Sequence, residues 1–281
     1  MKKTISNNST GIQADGDVTV NVGLTFEQVE KLTNLFLEQN FPKLRDDAMQ
    51  KAMENTQLFL KEFEKKLSQE FQNINPDKFS DPDVQYSLNE AVIETAKRGN
   101  KSNFDVLADL VIKKAYSKQT DLQSLSISEA IKVVARLTSE QINLLCIEYI
   151  FSHMSIPNFN HFHNYEKTCQ LLFELTSGLD NLSGWNIQYL ATQNCIETHF
   201  ISGLQDIVKM FQEKYKDKLS SLKPEEIREQ INTSTYLKGF VDIYEKYQLS
   251  DLHLTIIGQL IAAVRIAKYL PQSIDFMNYI K

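Results

Sequence analysis

The stretch Leu252-His253-Leu254-Thr255-Ile256-Ile257-Gly258-Gln259-Leu260-Ile261-Ala262-Ala263-Val264-Arg265-Ile266-Ala267-Lys268-Tyr269-Leu270 decides how the rest of the chain is read. Ile256, Ile257, Leu260, Ile261, Ala262, Ala263 and Val264 make it apolar nearly all round, and a helix of that kind belongs at the centre of a core. Gly258 allows a neighbour to pack closely. Gln259, Arg265 and Lys268 interrupt a run too short to span a bilayer comfortably, so a buried helix is preferred over a membrane-active segment. A central helix needs others around it, and the composition supplies them. Nine Gly and six Pro in 281 residues leave few of the turns that many short strands demand, while 42% hydrophobic content is enough for a sizeable core. The expected fold is mainly α: a multi-helix bundle of antiparallel helical hairpins, with a short N-terminal β-hairpin or β-arc and a long heptad-like helix.

Capping signals divide the chain outward from that centre. Thr138-Ser139-Glu140-Gln141 predicts a helix over Ile142 to His153, and Ser126-Ile127-Ser128-Glu129 one over Ala130 to Leu137. Asp81-Pro82 opens a helix that Lys97-Arg98-Gly99 closes, and Ser102 caps the next, so these two form an antiparallel hairpin. Further helices are expected over Tyr165 to Thr176, Asn186 to Phe200, Leu204 to Leu219, Pro224 to Ile231 and Thr235 to Tyr247.

Upstream, Pro42 starts a helix reaching about Gln72, in which Met49, Met53, Thr56, Leu60, Phe63 and Leu67 recur at nearly heptad spacing. Such a helix either lies on its own domain or pairs with another copy as a stalk. The first 23 residues are different in kind. Val18, Val20 and Val22 alternate with Thr19 and Asn21 after an Asp15-Gly16 turn, which predicts a strand pair too small to be stable alone. Thr25 and Gln28 then cap a helix ending near Asn40. Residues 73–80 collect turn formers and form the best internal linker candidate, which gives segments 1–23, 24–74 and 79–281.

Little in the chain points to chemistry. With 30 Lys+Arg against 36 Asp+Glu the net charge is −6, which provides no electrostatic footprint for nucleic acid. The one basic stretch, Lys209 to Lys223, is interleaved with Glu213 and Asp217 and fits a solvated helix face. Phosphate-binding glycine loops, a GxSxG elbow and HExxH are absent, and no His follows an Arg at the spacing of HEPN-type nucleases. The acidic pairs, such as Asp105 with Asp109, fit helix surfaces. Cys146, Cys169 and Cys195 lack CxxC spacing and fit core thiols in a reducing compartment. The densest cluster is His153, His161 and His163, followed by Tyr165, Glu166 and Cys169; imidazoles at i and i+2 can share a metal only on a loop or strand.

Three blocks carry a likeness: GIQADGDV at Gly11 to Val18, with Gly23-Leu24-Thr25 and Asn40-Phe41-Pro42-Lys43-Leu44 after it; DPDVQY at Asp81 to Tyr86, running to Ala96-Lys97-Arg98-Gly99-Asn100; and LTSEQ at Leu137 to Gln141. Over roughly its first half the sequence resembles the uncharacterised bacterial LPO/Vpar-type family. The resemblance implies bacterial mobile or immunity gene neighbourhoods and brings no assigned reaction or catalytic residue. The expected function is a non-enzymatic, self-associating helical protein, a sensor, effector or scaffold subunit in bacterial anti-phage defence. Val18, Val20, Val22, Leu60, Phe63 and Leu67 would supply the oligomer contacts, with a protein partner possible and neither cofactor, nucleic acid nor membrane required. Without a signal peptide or membrane span, a cytoplasmic location is expected. The alternative is a hydrolase or nuclease with a metal-assisted site around His153, His161 and His163, with Glu166 beside them.

Overall fold

The computed structural model describes residues 42–116, 119–156, 162–198 and 206–270. The β segment expected over 1–23, with Val18, Val20 and Val22, lies outside the described residues, as do the helix expected over 24–40 and His161. The chain divides into two compact units, Met1–Gln50 and Lys51–Lys281.

Helix α1 (Pro42–Glu70) begins on proline, whose missing N–H is no loss in a first turn. Within the second unit its buried face is Phe59 and Phe63, whose rings stack at 6.0 Å, and Phe63 meets the edge of Phe79. Leu67 is half-buried against the same core, whereas Leu60 points away from it. The heptad spacing therefore runs obliquely to the buried stripe, and from Thr56 onward the two coincide only at Phe63 and Leu67. Residues 73–80 are held firmly: Ile74 bridges to Tyr116, Asn75 N–H donates to the Ala115 carbonyl at 3.0 Å, and Asn75 caps a 3-10 turn over Pro76–Ser80.

Helix α2 (Pro82–Arg98) is capped by Asp81, which accepts from Asp83 N–H at 2.9 Å, and ends at Gly99 with φ of 56°. The Asn55 carboxamide occupies the space where a side chain at Gly99 would stand. Helix α3 (Phe104–Lys114) follows a 3-10 turn, and its cap position is Asn103, in the left-handed region at φ 52°. Ser102, expected as the cap, instead donates its hydroxyl to the Gly99 carbonyl at 2.6 Å. Helix α4 (Asp121–Val134) starts earlier than Ser126, because Thr120 and Gln123 themselves form a capping box and Ser126 is buried inside the helix. Helix α5 (Ser139–Ser152) carries the Thr138/Gln141 capping box that its sequence predicts.

Beyond it come α6 (Phe162–Leu171), α7 (Gly184–Thr192), β1 (Ile196–Thr198), α8 (Ile207–Lys214), α9 (Lys216–Leu219), α10 (Pro224–Thr233), α11 (Tyr236–Lys246), β2 (Leu252–Leu254) and α12 (Ile256–Ala267). Two of these depart from expectation. Residues 196–198 and 252–254, read as helical, pair as an antiparallel two-stranded sheet with Ile196 opposite Leu254. Three-residue strands are too short to show alternation in a sequence, and only their mutual pairing defines them. The architecture is mainly α, a multi-helix fold with this one small sheet among the described residues.

Helix α12 fills the centre, buried from Leu260 to Val264 and packed chiefly against α5 and α4. Its Gly258 passes so close to β1 that an added Cβ would lie 2.0 Å from the Cys195 carbonyl oxygen. Backbone cannot yield as a flexible side chain does, so Gly258→Ala should cost about 1–3 kcal/mol or more and lower the urea midpoint clearly. Gly239 in α11 has nothing within 4 Å of its missing Cβ. Gly239→Ala should therefore raise the midpoint, by about 0.5–1 kcal/mol. Paired urea titrations of the two variants check both signs.

Candidate functional site

Helix α5 is buried from Gln141 to Phe151, and one ionisable carboxyl lies in that stretch, Glu148. Glu148 is 2% exposed, and neither carboxylate oxygen has a partner at full hydrogen-bond geometry. One turn on, His153 Nε2 stands 3.9 Å from Glu148 Oε2, and its ring stacks on Tyr149 with centroids 5.5 Å apart. The ammonium of Lys214, at the end of α8, donates to the carbonyls of Ile150 (3.3 Å) and Phe151. A cation there satisfies orphan acceptors in the last turn of α5 and complements the negative end of its dipole. Tyr244 of α11 and His253 of β2 complete the surroundings electrostatically.

Desolvation dominates these groups. Burial pushes the Glu148 carboxyl up to about 8, against a smaller downward pull from the Ser152 hydroxyl and Lys214. Lys214 is brought down to about 8 by burial, opposed by Glu148. His153 is lowered by burial, then by Lys214 and His253. The Tyr244 phenol is raised to about 12, first by burial and then by Glu148.

The remaining candidates from the sequence are placed as follows. His163 is exposed on α6. Glu166 is engaged structurally: its carboxylate accepts from the N–H groups of Thr235 and Tyr236 at 2.9 Å and Leu237 at 2.8 Å, capping α11 from across the fold. Tyr165 is fully buried among Phe151, Phe211 and Tyr215 and donates its hydroxyl to the Ile150 carbonyl at 3.1 Å. All three cysteines are free and buried; burial pushes Cys146 and Cys195 up to about 12 and Cys169 well above its usual range. Asp105 holds Arg265 at 2.6 Å and Lys268 at 3.2 Å, while Asp109 pairs with Lys66, so this acidic pair ties helices together. Among the described residues no group of three His, Cys, Asp or Glu side chains is arranged to hold a metal, and no helix is long and apolar enough to cross a membrane.

A second feature lies on the outside. Between α2 and α4 an open groove of about 220 Å³ is lined by Tyr86, Asn89, Glu90, Ile93 and Glu94 on one side and Ile131, Lys132 and Arg136 on the other. Its sequence signal was available in the exposed apolar pair Tyr86 and Ile93, two turns apart on a helix whose other face, Val84, Ala91 and Thr95, is buried. Glu148 was less legible, a lone acid inside an otherwise apolar helix.

A protein-family model described as ":-like" matches residues 23–221. Neither a curated protein nor a solved structure matches the chain.

Two outcomes follow from the buried charges. Glu148 ionises near 4.5 when free and only near 8 in the fold, so between those values the folded chain holds the extra proton and stability falls as pH rises. Lys214 acts in the opposite sense and only above about 8. Glu148→Gln should remove the fall, so its melting temperature should gain on the wild type as pH is raised from 5 towards 8 in a thermal series. Separately, Glu166→Ala deprives the first turn of α11 of three acceptor contacts. It should cost roughly 2 kcal/mol in a urea titration and speed amide exchange at Tyr236 and Leu237.

Proposed function

We propose that this chain, which belongs to the family whose model spans residues 23–221 and takes in α1 to α9, acts through assembly and not through chemistry. In this reading it is a non-enzymatic, self-associating helical subunit. Following the LPO/Vpar-type likeness of its N-terminal blocks, its setting is bacterial anti-phage defence, as sensor, effector or scaffold.

One observation carries the reading. Within the second unit, Met53 (49% exposed) and Leu60 (41%) lie two turns apart on one edge of α1, adjacent to the stripe that packs on the core, and Phe71 (65%) is exposed in the turn just past the end of the helix. The seven-residue spacing keeps Met53 and Leu60 on one side of the helix, alongside Gln57 and Glu64, and exposed apolar side chains grouped with polar neighbours suit a surface that meets another protein. Covering each such side chain contributes on the order of 1 kcal/mol, so several together suffice for a reversible contact. Phe63 belongs to the chain's own core, and replacing it would damage the fold. Leu60 is the better probe of assembly.

Native mass by light scattering, over a concentration series, tests this. The wild-type chain should rise above the monomer mass, and Leu60→Asp should return it to the monomer while leaving its melting temperature within a few degrees. A chain beginning at Leu24, or one with Val18, Val20 and Val22 changed to Ser, should associate less. A wild type that stays monomeric at every concentration would end this reading.

A further inference from the structure

We infer that the groove between α2 and α4 receives the exposed edge of α1 from a second copy of this chain. The inference rests on the self-association proposed above and names the surface that would complete it.

The two surfaces match in order. Along α1 the outward positions Met53, Gln57, Leu60 and Glu64 follow one another at steps of four, three and four residues, one side of the helix. Along α2 the groove presents Tyr86, Glu90 and Ile93, again at steps of four and three. Met53 to Leu60 and Tyr86 to Ile93 each cover seven residues, a rise of about 10.5 Å on both helices. Ile131 forms an apolar floor between them. Tyr86 and Ile93 are 57% and 52% exposed, so the walls of the groove have apolar surface left to bury.

The polar groups fall into the same register. Arg98 donates to the Ala135 carbonyl, which sets the end of α4 level with the last turn of α2 and puts Arg136 beyond Ile93 along the groove. With α1 laid parallel to α2, Met53 meets Tyr86, the Gln57 carboxamide can donate to Glu90, Leu60 meets Ile93, and Glu64 comes level with Arg136. Among the described residues the side chains of Glu64, Glu90 and Arg136 have no hydrogen-bond or ion-pair partner, whereas the neighbouring Glu94 and Lys132 are paired with Lys97 at 2.8 Å and Glu129 at 3.4 Å. The charges left open in the groove are thus the ones that α1 answers. The groove and the edge are separate surfaces on the chain, so each can be altered without the other.

Charge exchange tests the pairing. Arg136 and Glu64 are exposed, and Arg136→Glu and Glu64→Arg should leave the circular dichroism spectrum and melting temperature close to wild type. Each single variant should weaken association roughly tenfold or more in the light-scattering series, by setting like charges together. The double variant, Arg136→Glu with Glu64→Arg, should recover most of the wild-type mass. A wild type that associates, with single variants that keep its mass, overturns the inference and leaves the self-association reading intact. Single variants that dissociate without recovery in the double variant overturn the Glu64–Arg136 pairing, and with it the register argued here. Swaps that change the melting temperature but not the mass would assign the groove to another segment of the same chain, also against the inference. A monomeric wild type removes both this inference and the reading beneath it.

Discussion

The Cys195 carbonyl oxygen lies where a side chain on Gly258 would have to be, and much of the second unit is arranged around that contact. The same oxygen accepts the Thr255 N–H at 3.1 Å, and the Thr255 hydroxyl bonds to the Asn194 carbonyl while also capping α12. The pairing of β1 with β2 is the extension of this knot by three residues. It fixes where α12 begins and the direction in which it enters the core. Once inside, α12 meets α5, α4 and α3, and Arg265 reaches Asp105 on α3 at 2.6 Å. A single glycine thus sets the distance at which the last helix of the core can dock.

Ionic groups inside the fold divide into those that are satisfied and those that are not. Lys114 is buried, yet its ammonium reaches the Asp83 carboxylate at 2.5 Å, both the carbonyl and the hydroxyl of Ser124, and the Ser128 hydroxyl. Such a cation joins α2, α3 and α4 at a cost that its partners offset. Glu148 has no comparable set of partners, and the fold answers by keeping it protonated near neutral pH. The difference is one of geometry: Lys114 has a long, flexible stem that can find acceptors, whereas Glu148 is fixed close to a helix whose backbone donors are already used.

The sequence made the helical class, the buried run around Ile261, the Thr138/Gln141 cap and the tight role of Gly258 legible, because each rests on local pattern or local chemistry. What it concealed depended on partners distant in the chain. The Thr120/Gln123 box was overshadowed by the more conspicuous serines that follow it, and β1 and β2 exist only as a pair. Heptad spacing picked out Leu60, Phe63 and Leu67, but the direction of the core selected Phe59 and Phe63, a rotation of the helix that no single stretch specifies. Glu166 looked like a possible catalytic acid beside histidines, and only the position of α11 reveals what its carboxylate does.

That last contact bears on the order in which the chain can fold. The sequence separation between Glu166 and its three donors is 69 to 71 residues, and Thr235 makes no side-chain cap of its own. The first turn of α11 is therefore completed by a segment that must first be brought to it through a long loop closure. Its formation is tied to tertiary docking, which raises contact order and slows the late stages of folding relative to a bundle of self-capped helices. Local opening at either α6 or α11 then propagates to the other, so the two should behave as one cooperative unit despite their distance along the chain.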